Sequence, residues 1–187
     1  EMSKVTITDV HLVVTGTHFQ TTVNRGSIPL PQSIDGITEA EVSQVMDVAR
    51  GVKLPADRVP LHTICQRFFI DDEPVVRPEG FEGGKLALDM LIVHALRPRL
   101  RNAVRVVSAA KVKVCDTAFS GLCAGLAVLT PQQKDSGVLV IDLGAGTTNY
   151  IAYAGNALAA IGVLGVGGDH ITNDIALGFK ISLEQAE

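Results

Sequence analysis

The stretch from Val138 to Asp174 constrains the fold more than any other part of this chain. An apolar run leads into the turn Asp142-Leu-Gly-Ala-Gly-Thr-Thr148, two further apolar runs follow, and Gly167-Gly168-Asp169 opens a helical pattern. Strand, tight turn, strand, strand and helix in that order describe a cradle for phosphate. Gly144, Ala145 and Gly146 leave the backbone unshielded, so successive N–H groups can face an anion. Thr147 and Thr148 add hydroxyl donors beside those amides. Asp142 supplies a carboxylate suited to hold Mg2+, or a water in its shell, next to the phosphates. Further on, Gly167 and Gly168 admit a second backbone segment, and the helix opening near Asp169 directs its positive end toward the same ligand. A bare Gly-rich hairpin accounts for the turn alone, but it predicts neither the strand that follows nor the Gly-Gly-Asp helix start.

The rest of the composition suits a mixed α/β protein. With 187 residues, 47% hydrophobic and 19% charged, the chain can bury one or two small cores. Trp is absent and aromatics are few, so Val, Ile, Leu and Ala fill those cores, as a sheet with helices on its faces requires. The charge is uneven: residues 96–137 hold seven Lys and Arg against two Asp and Glu, in a chain of net charge -4. Arg97, Arg99, Arg101 and Arg105 share a helical segment with Leu100, Val104 and Val107 at apolar spacing. That segment reads first as a solvated helix face and second as a surface for anionic lipid or an acidic partner. No nucleic-acid partner is expected, because no aromatic residues interleave with the arginines.

Cys65, Cys115 and Cys123 are too widely spaced for a zinc site or a disulfide framework. No signal-peptide pattern is present. The apolar stretch from Tyr150 to Gly168 is broken by glycines and preceded by a polar turn, so it reads as two buried strands and not as a membrane span.

Punctuation gives the remaining organisation. Two strands are expected at His11–Gln20 and Thr21–Leu30. A helix follows from the capping box Thr38-Glu-Ala-Glu41, with Val42, Val45, Met46 and Ala49 on one face. Strands at Leu61–Asp71 and Lys85–Ala95 flank a Pro- and Gly-containing link over residues 74–84. From Arg97 the expectation is helix, strand over Val112–Phe119, then a helix ending at Pro131. His62 reads as a structural histidine within its strand. The run Asp71-Asp72-Glu73 reads as a solvated turn, and no residue is assigned a catalytic role.

Several of these segments together resemble one family. The turn Asp142–Thr148 looks like the second phosphate motif of the actin-like ATPase superfamily. The closer resemblance is to FtsA, a bacterial cell-division family. It is carried by Gly16-Thr-His18 with Asn24 and Gly26, by Arg58-Val-Pro-Leu-His62 with Gln66 and Phe68-Phe-Ile-Asp71, and by Pro78-Glu-Gly80 with Gly83. Ala127-Val-Leu-Thr130 and Gly167-Gly-Asp-His-Ile-Thr-Asn-Asp-Ile175 complete the series, in the family's order. PilM of pilus assembly is a more distant relative.

The resemblance implies an actin-like, ribonuclease-H-like ATPase core with a strand–helix–strand insertion of the SHS2 kind. Its parts would be residues 1–95 as the insertion, 96–137 as the close of the first ATPase half and 138–187 as the start of the second. It implies ATP and Mg2+ as ligands, with Asp142, Gly144, Ala145, Gly146, Thr147, Thr148, Gly167 and Gly168 around the nucleotide and Asp142 at the metal. Two departures stand out, Ala145 where the family usually has Gly and Asn149 where it has Asp, so binding with weak or no hydrolysis is expected. The implied role is a cytoplasmic adaptor at the inner face of the membrane at the division site. It would self-associate into filaments, contact a tubulin-like division protein and receive later division proteins on the insertion; a pilus or secretion scaffold is the alternative. The first phosphate hairpin, the C-terminal membrane helix and most of the last subdomain are not in the sequence, which therefore reads as an internal fragment.

Overall fold

A computed structural model describes residues 6–31 and 35–187. The remainder of the expected 1–95 module, residues 1–5 and 32–34, lies outside the described residues. The elements run β1 (Asp9–Val14), β2 (Phe19–Pro29), α1 (Glu39–Arg50), β3 (Arg58–Ile70), β4 (Glu73–Val75), β5 (Lys85–Leu96), α2 (Arg97–Ala109), β6 (Lys113–Phe119), α3 (Ser120–Val128), α4 (Pro131–Ser136), β7 (Val138–Leu143), β8 (Thr148–Ala154), β9 (Ala157–Leu164), α5 (Gly168–Phe179) and α6 (Leu183–Ala186). The architecture is mixed α/β. It is arranged as three sheets, ordered β1-β6, β2-β5-β3-β4 and β7-β8-β9.

The central strand of the large sheet explains its own sequence. β5 lies between β2 and β3, antiparallel to both. Leu86, Leu88, Met90 and Ile92 face a core closed by Val45 and Ala49 of α1. Leu91, Val93 and Ala95 enter a second core with Phe119, Ile151, Tyr153, Leu158 and Ile161. Both faces of β5 are covered, so its apolar run is continuous instead of alternating. The helix α1 begins where the capping box places it, with Thr38 as N-cap and Glu41 reaching back. It lies so close to β2 that a Cβ on Gly26 would come within 2.5 Å of Ala49 N.

Several boundaries differ from the sequence reading, each for a local reason. The first turn falls at Thr15–His18 and not after Gln20, because Gly16 takes φ 140 and its carbonyl accepts from Phe19 N at 3.1 Å. The chain thereby leaves β1 free to pair in parallel with β6, apart from the large sheet. The short β4 forms a two-residue hairpin with β3 at Asp71 and Asp72, both with positive φ (51 and 72). Pro131 does not end a helix but starts one: Thr130 caps α4, Gln133 completes a second capping box, and Pro occupies a first-turn position where no N–H is needed. Among the described residues no helix is long and apolar enough to cross a membrane.

Candidate functional site

The turn between β7 and β8 is closed by a single backbone bond, Gly144 N donating to Thr147 O at 2.9 Å. The N–H groups of Ala145, Gly146 and Thr147 have no acceptor among the described residues, which is the condition for receiving an anion. Above Gly146 the space is open, since a Cβ there would meet nothing within 4 Å. Gly146 and Thr147 border a cleft of about 640 Å3 that is also lined by Thr15, Gly16, Thr17, His18, Arg58, Leu96, Arg99 and Gly165. That volume suits a small organic ligand.

Helix α5 holds the turn in place. Gly168 N donates to Gly144 O and Asp169 N to Ala145 O, both at 2.9 Å. The first N–H groups of α5 are therefore engaged by the turn's own carbonyls and do not point at a ligand, contrary to the expectation for the helix start. Gly167 is required by proximity: its backbone is extended, and a Cβ would sit 2.3 Å from Ala145 O and 2.4 Å from Gly144 O. Thr148 Oγ1 donates to Val166 O at 2.6 Å, so its hydroxyl hydrogen braces the segment before α5. Gly144, Gly167, Gly168 and Thr148 thus support the turn, while Gly146 and Thr147 face the cleft.

Asp142 stands opposite Asn149 in the register of β7 and β8. Asn149, only 3% exposed, donates from Nδ2 to Asp142 Oδ2 at 3.0 Å and accepts from Thr15 Oγ1 at 2.8 Å. Its amide is satisfied on both sides, and it ties the end of β1 to the strands that flank the turn. Oδ1 of Asp142 has no hydrogen-bond donor among the described residues. Asp142 does not line the cleft; its free carboxylate oxygen and the unbonded N–H groups of the turn that follows it are together a donor set that fits a phosphate with a hard cation.

Of the cleft residues not singled out for the site from sequence, three are charged or titratable: His18, Arg58 and Arg99. His18 and Arg58 belong to the family segments but carry no phosphate-motif signature, and Arg99 reads as one arginine of a solvated helix. The fold gathers them. Burial, then the charges of Arg99 and Arg58, holds the His18 imidazole below its ordinary pKa. His62 proves structural: its Nε2 accepts from Phe119 N at 3.0 Å and joins β3 to the end of β6. The remaining arginines split, Arg97 donating to Arg58 O at 3.3 Å and Arg101 and Arg105 lining a shallow apolar cavity with Leu100 and Val104.

A family model described as "SHS2 domain inserted in FTSA" matches residues 16–94, and one described as "Cell division protein FtsA" matches residues 139–187. The chain is 29% identical over 187 residues to cell division protein FtsA of Escherichia coli K12, covering 100% of the chain and 44% of that protein. It is 30% identical over 182 residues to the FtsA of Borreliella burgdorferi, covering 97% and 44%. For the FtsA of Pseudomonas aeruginosa the identity is 29% over 175 residues, covering 93% and 42%. The chain therefore spans less than half the length of these curated relatives. In fold it is similar to a solved chain of the PilM-PilN type IV pilus biogenesis complex, with a TM-score of 0.55 and 18% identity over 89% of this chain and 46% of that one. Two family-model matches in chain order, to residues 16–94 and 139–187, together with relatives aligned along the whole chain, place this chain in the FtsA family of actin-like cell-division proteins.

Proposed function

We propose that this chain carries part of the nucleotide site of a cell-division adaptor, and that the nucleotide acts on it as a conformational switch. The observation that carries the reading is the turn itself: unbonded N–H groups at Ala145, Gly146 and Thr147, with Gly146 and Thr147 at the edge of a cleft and Asp142 near the end of the strand that leads into the turn. In this reading the turn amides bind phosphate oxygens of ATP, and Asp142 Oδ1 orients Mg2+ or its water. The cation, when bound, neutralises phosphate charge. Asn149 orients Asp142 and cannot act as a base near neutral pH, which supports slow or absent hydrolysis. Gly167 and Gly168 keep α5 against the turn, so that any shift of the phosphates is passed to a helix.

The domain assignment is part of the same proposal, with the insertion within residues 1–95, the end of the first ATPase half at 96–137 and the start of the second at 138–187. The insertion would present a surface to later division proteins. The whole protein would self-associate into filaments and join a tubulin-like division protein to the cytoplasmic face of the membrane. The likeness to the pilus protein is one of fold, and no observation on this chain favours a pilus role.

The test is calorimetric titration of the full-length protein with Mg-ATP. Asp142→Ala should weaken Mg2+-dependent binding by about 1–3 kcal/mol, the loss typical for a charged hydrogen-bonding group. Unchanged affinity would reject Asp142 as the metal-orienting residue.

A further inference from the structure

The cleft that carries Gly146 and Thr147 is lined elsewhere by Arg58, Arg99 and His18, and by no carboxylate. Among the described residues neither guanidinium makes an ion pair. Two guanidinium groups on one cavity repel each other, and an anion between them relieves that repulsion.

Arg58 is already oriented. Its Nη1 donates to His18 O at 3.3 Å and to His94 Nδ1 at 3.0 Å. His94 is 3% exposed, and its Nε2 lies 3.1 Å from Thr22 Oγ1. For Nδ1 to accept, the ring proton sits on Nε2, directed at Thr22. Burial, then the charge of Arg58, lowers the pKa of His94 and keeps the ring neutral. With Nη1 so held, the Nε and Nη2 hydrogens of Arg58 have no acceptor among the described residues. Arg97 fastens Arg58 O to the start of α2, the helix that carries Arg99.

We propose that Arg58 and Arg99 read the terminal phosphate of the bound nucleotide, distinguishing a nucleoside triphosphate from a diphosphate. This rests on the nucleotide reading above and goes beyond it by naming the group that senses the ligand's charge. The planar guanidinium fork matches phosphate oxygens, and the turn amides of Ala145 to Thr147 take the inner phosphates. Arg58 is also the first residue of β3. Further along that strand His62 accepts from Phe119 N and Gln66 donates to Leu158 O. A ligand that draws on Arg58 thus acts on the strand that joins the inserted sheet to both neighbouring sheets.

The test is an NMR titration of the full-length protein with ATP, ADP and inorganic triphosphate in turn, followed at the Gly146 and Thr147 amides. It is repeated on Arg99→Gln and Arg58→Lys, with the remaining amide signals reporting that each variant is folded. Arg99 is exposed and bonds no described residue, so its variant keeps the fold. The expected result is that ATP and triphosphate bind about tenfold more weakly to either variant, as loss of one charge-assisted contact implies, while ADP binding is unchanged. An unaltered ATP-to-ADP ratio in both variants, with both nucleotides bound, overturns the proposal and leaves the nucleotide reading intact. Arg99-dependent binding of inorganic triphosphate without binding of either nucleotide supports the arginine site and overturns the nucleotide reading. Binding of none of the three overturns both.

Discussion

Asn149 shows how one side chain serves two elements. It donates to Asp142 and accepts from Thr15, and it is almost wholly buried. An aspartate at this position would set a second carboxylate 3.0 Å from Asp142 Oδ2 and remove the donor between them. Asn149→Asp should therefore lower stability by about 1–3 kcal/mol without divalent cation. In a chain of this size that is a fall in Tm of roughly 2–4 °C per kcal/mol. Mg2+ should restore part of it, because a cation between two carboxylates replaces the lost hydrogen bond. A thermal melt that is unchanged in the variant, with or without Mg2+, would show that Asn149 does not couple to the metal position. The exchange of Asp for Asn was legible in the sequence as a lost charge. Its bond to Thr15 was not, because the two residues are 134 positions apart and no pattern links them.

The elements respond mostly to close backbone approach. At Gly26 a Cβ would come within 2.5 Å of Ala49 N and 2.8 Å of Ala49 Cβ. These atoms belong to a helix that also accepts Asn24 Nδ2 at Ala49 O, 2.8 Å. Gly26→Ala must push α1 off the sheet, and overpacking of this kind costs about 1–3 kcal/mol. At Gly167 the obstacle is the β7–β8 turn itself, through Ala145 O and Gly144 O. Gly167→Ala should break the bonds from Gly168 N and Asp169 N, expose the start of α5 to hydrogen exchange and abolish tight nucleotide binding. Amide exchange at Gly168 and Asp169 checks it directly, and unchanged protection there would refute the account. Capping boxes, turn glycines and apolar periodicity made α1 and the β7–β9 run readable from sequence. The short β4 and the start of α4 were not, because a three-residue strand containing Pro has no period to detect, and Pro131 reads as a stop until its cap is seen.

The three sheets are held together by β3 and β5, and one of those joints is titratable. His62 links β3 to Phe119 N only while its Nε2 is unprotonated. Burial lowers its pKa from 6.5, with Asp116 opposing, and burial with nearby arginines lowers those of His18 and His94. Folded pKa values below the unfolded one mean that these rings stabilise the fold fully above about pH 6.5, and that the contribution is lost as pH falls through the folded values. The Tm should be level between about pH 8 and 7 and decline toward pH 5, less steeply in His62→Gln. A decline of equal slope in that variant would remove His62 from the effect.

Local chemistry in the sequence determined the tight β7–β8 turn, the capped helix α1 and the family to which the chain belongs, because each depends on residues a few positions apart. Only the tertiary structure decided that β1 pairs with β6, that β5 is buried on both faces, and that the first N–H groups of α5 serve the turn. It also decided that His18, Arg58 and Arg99 line one cleft with Gly146. Those outcomes depend on which surfaces pack together and which donors find acceptors across long separations, and neither is encoded in spacing along the chain.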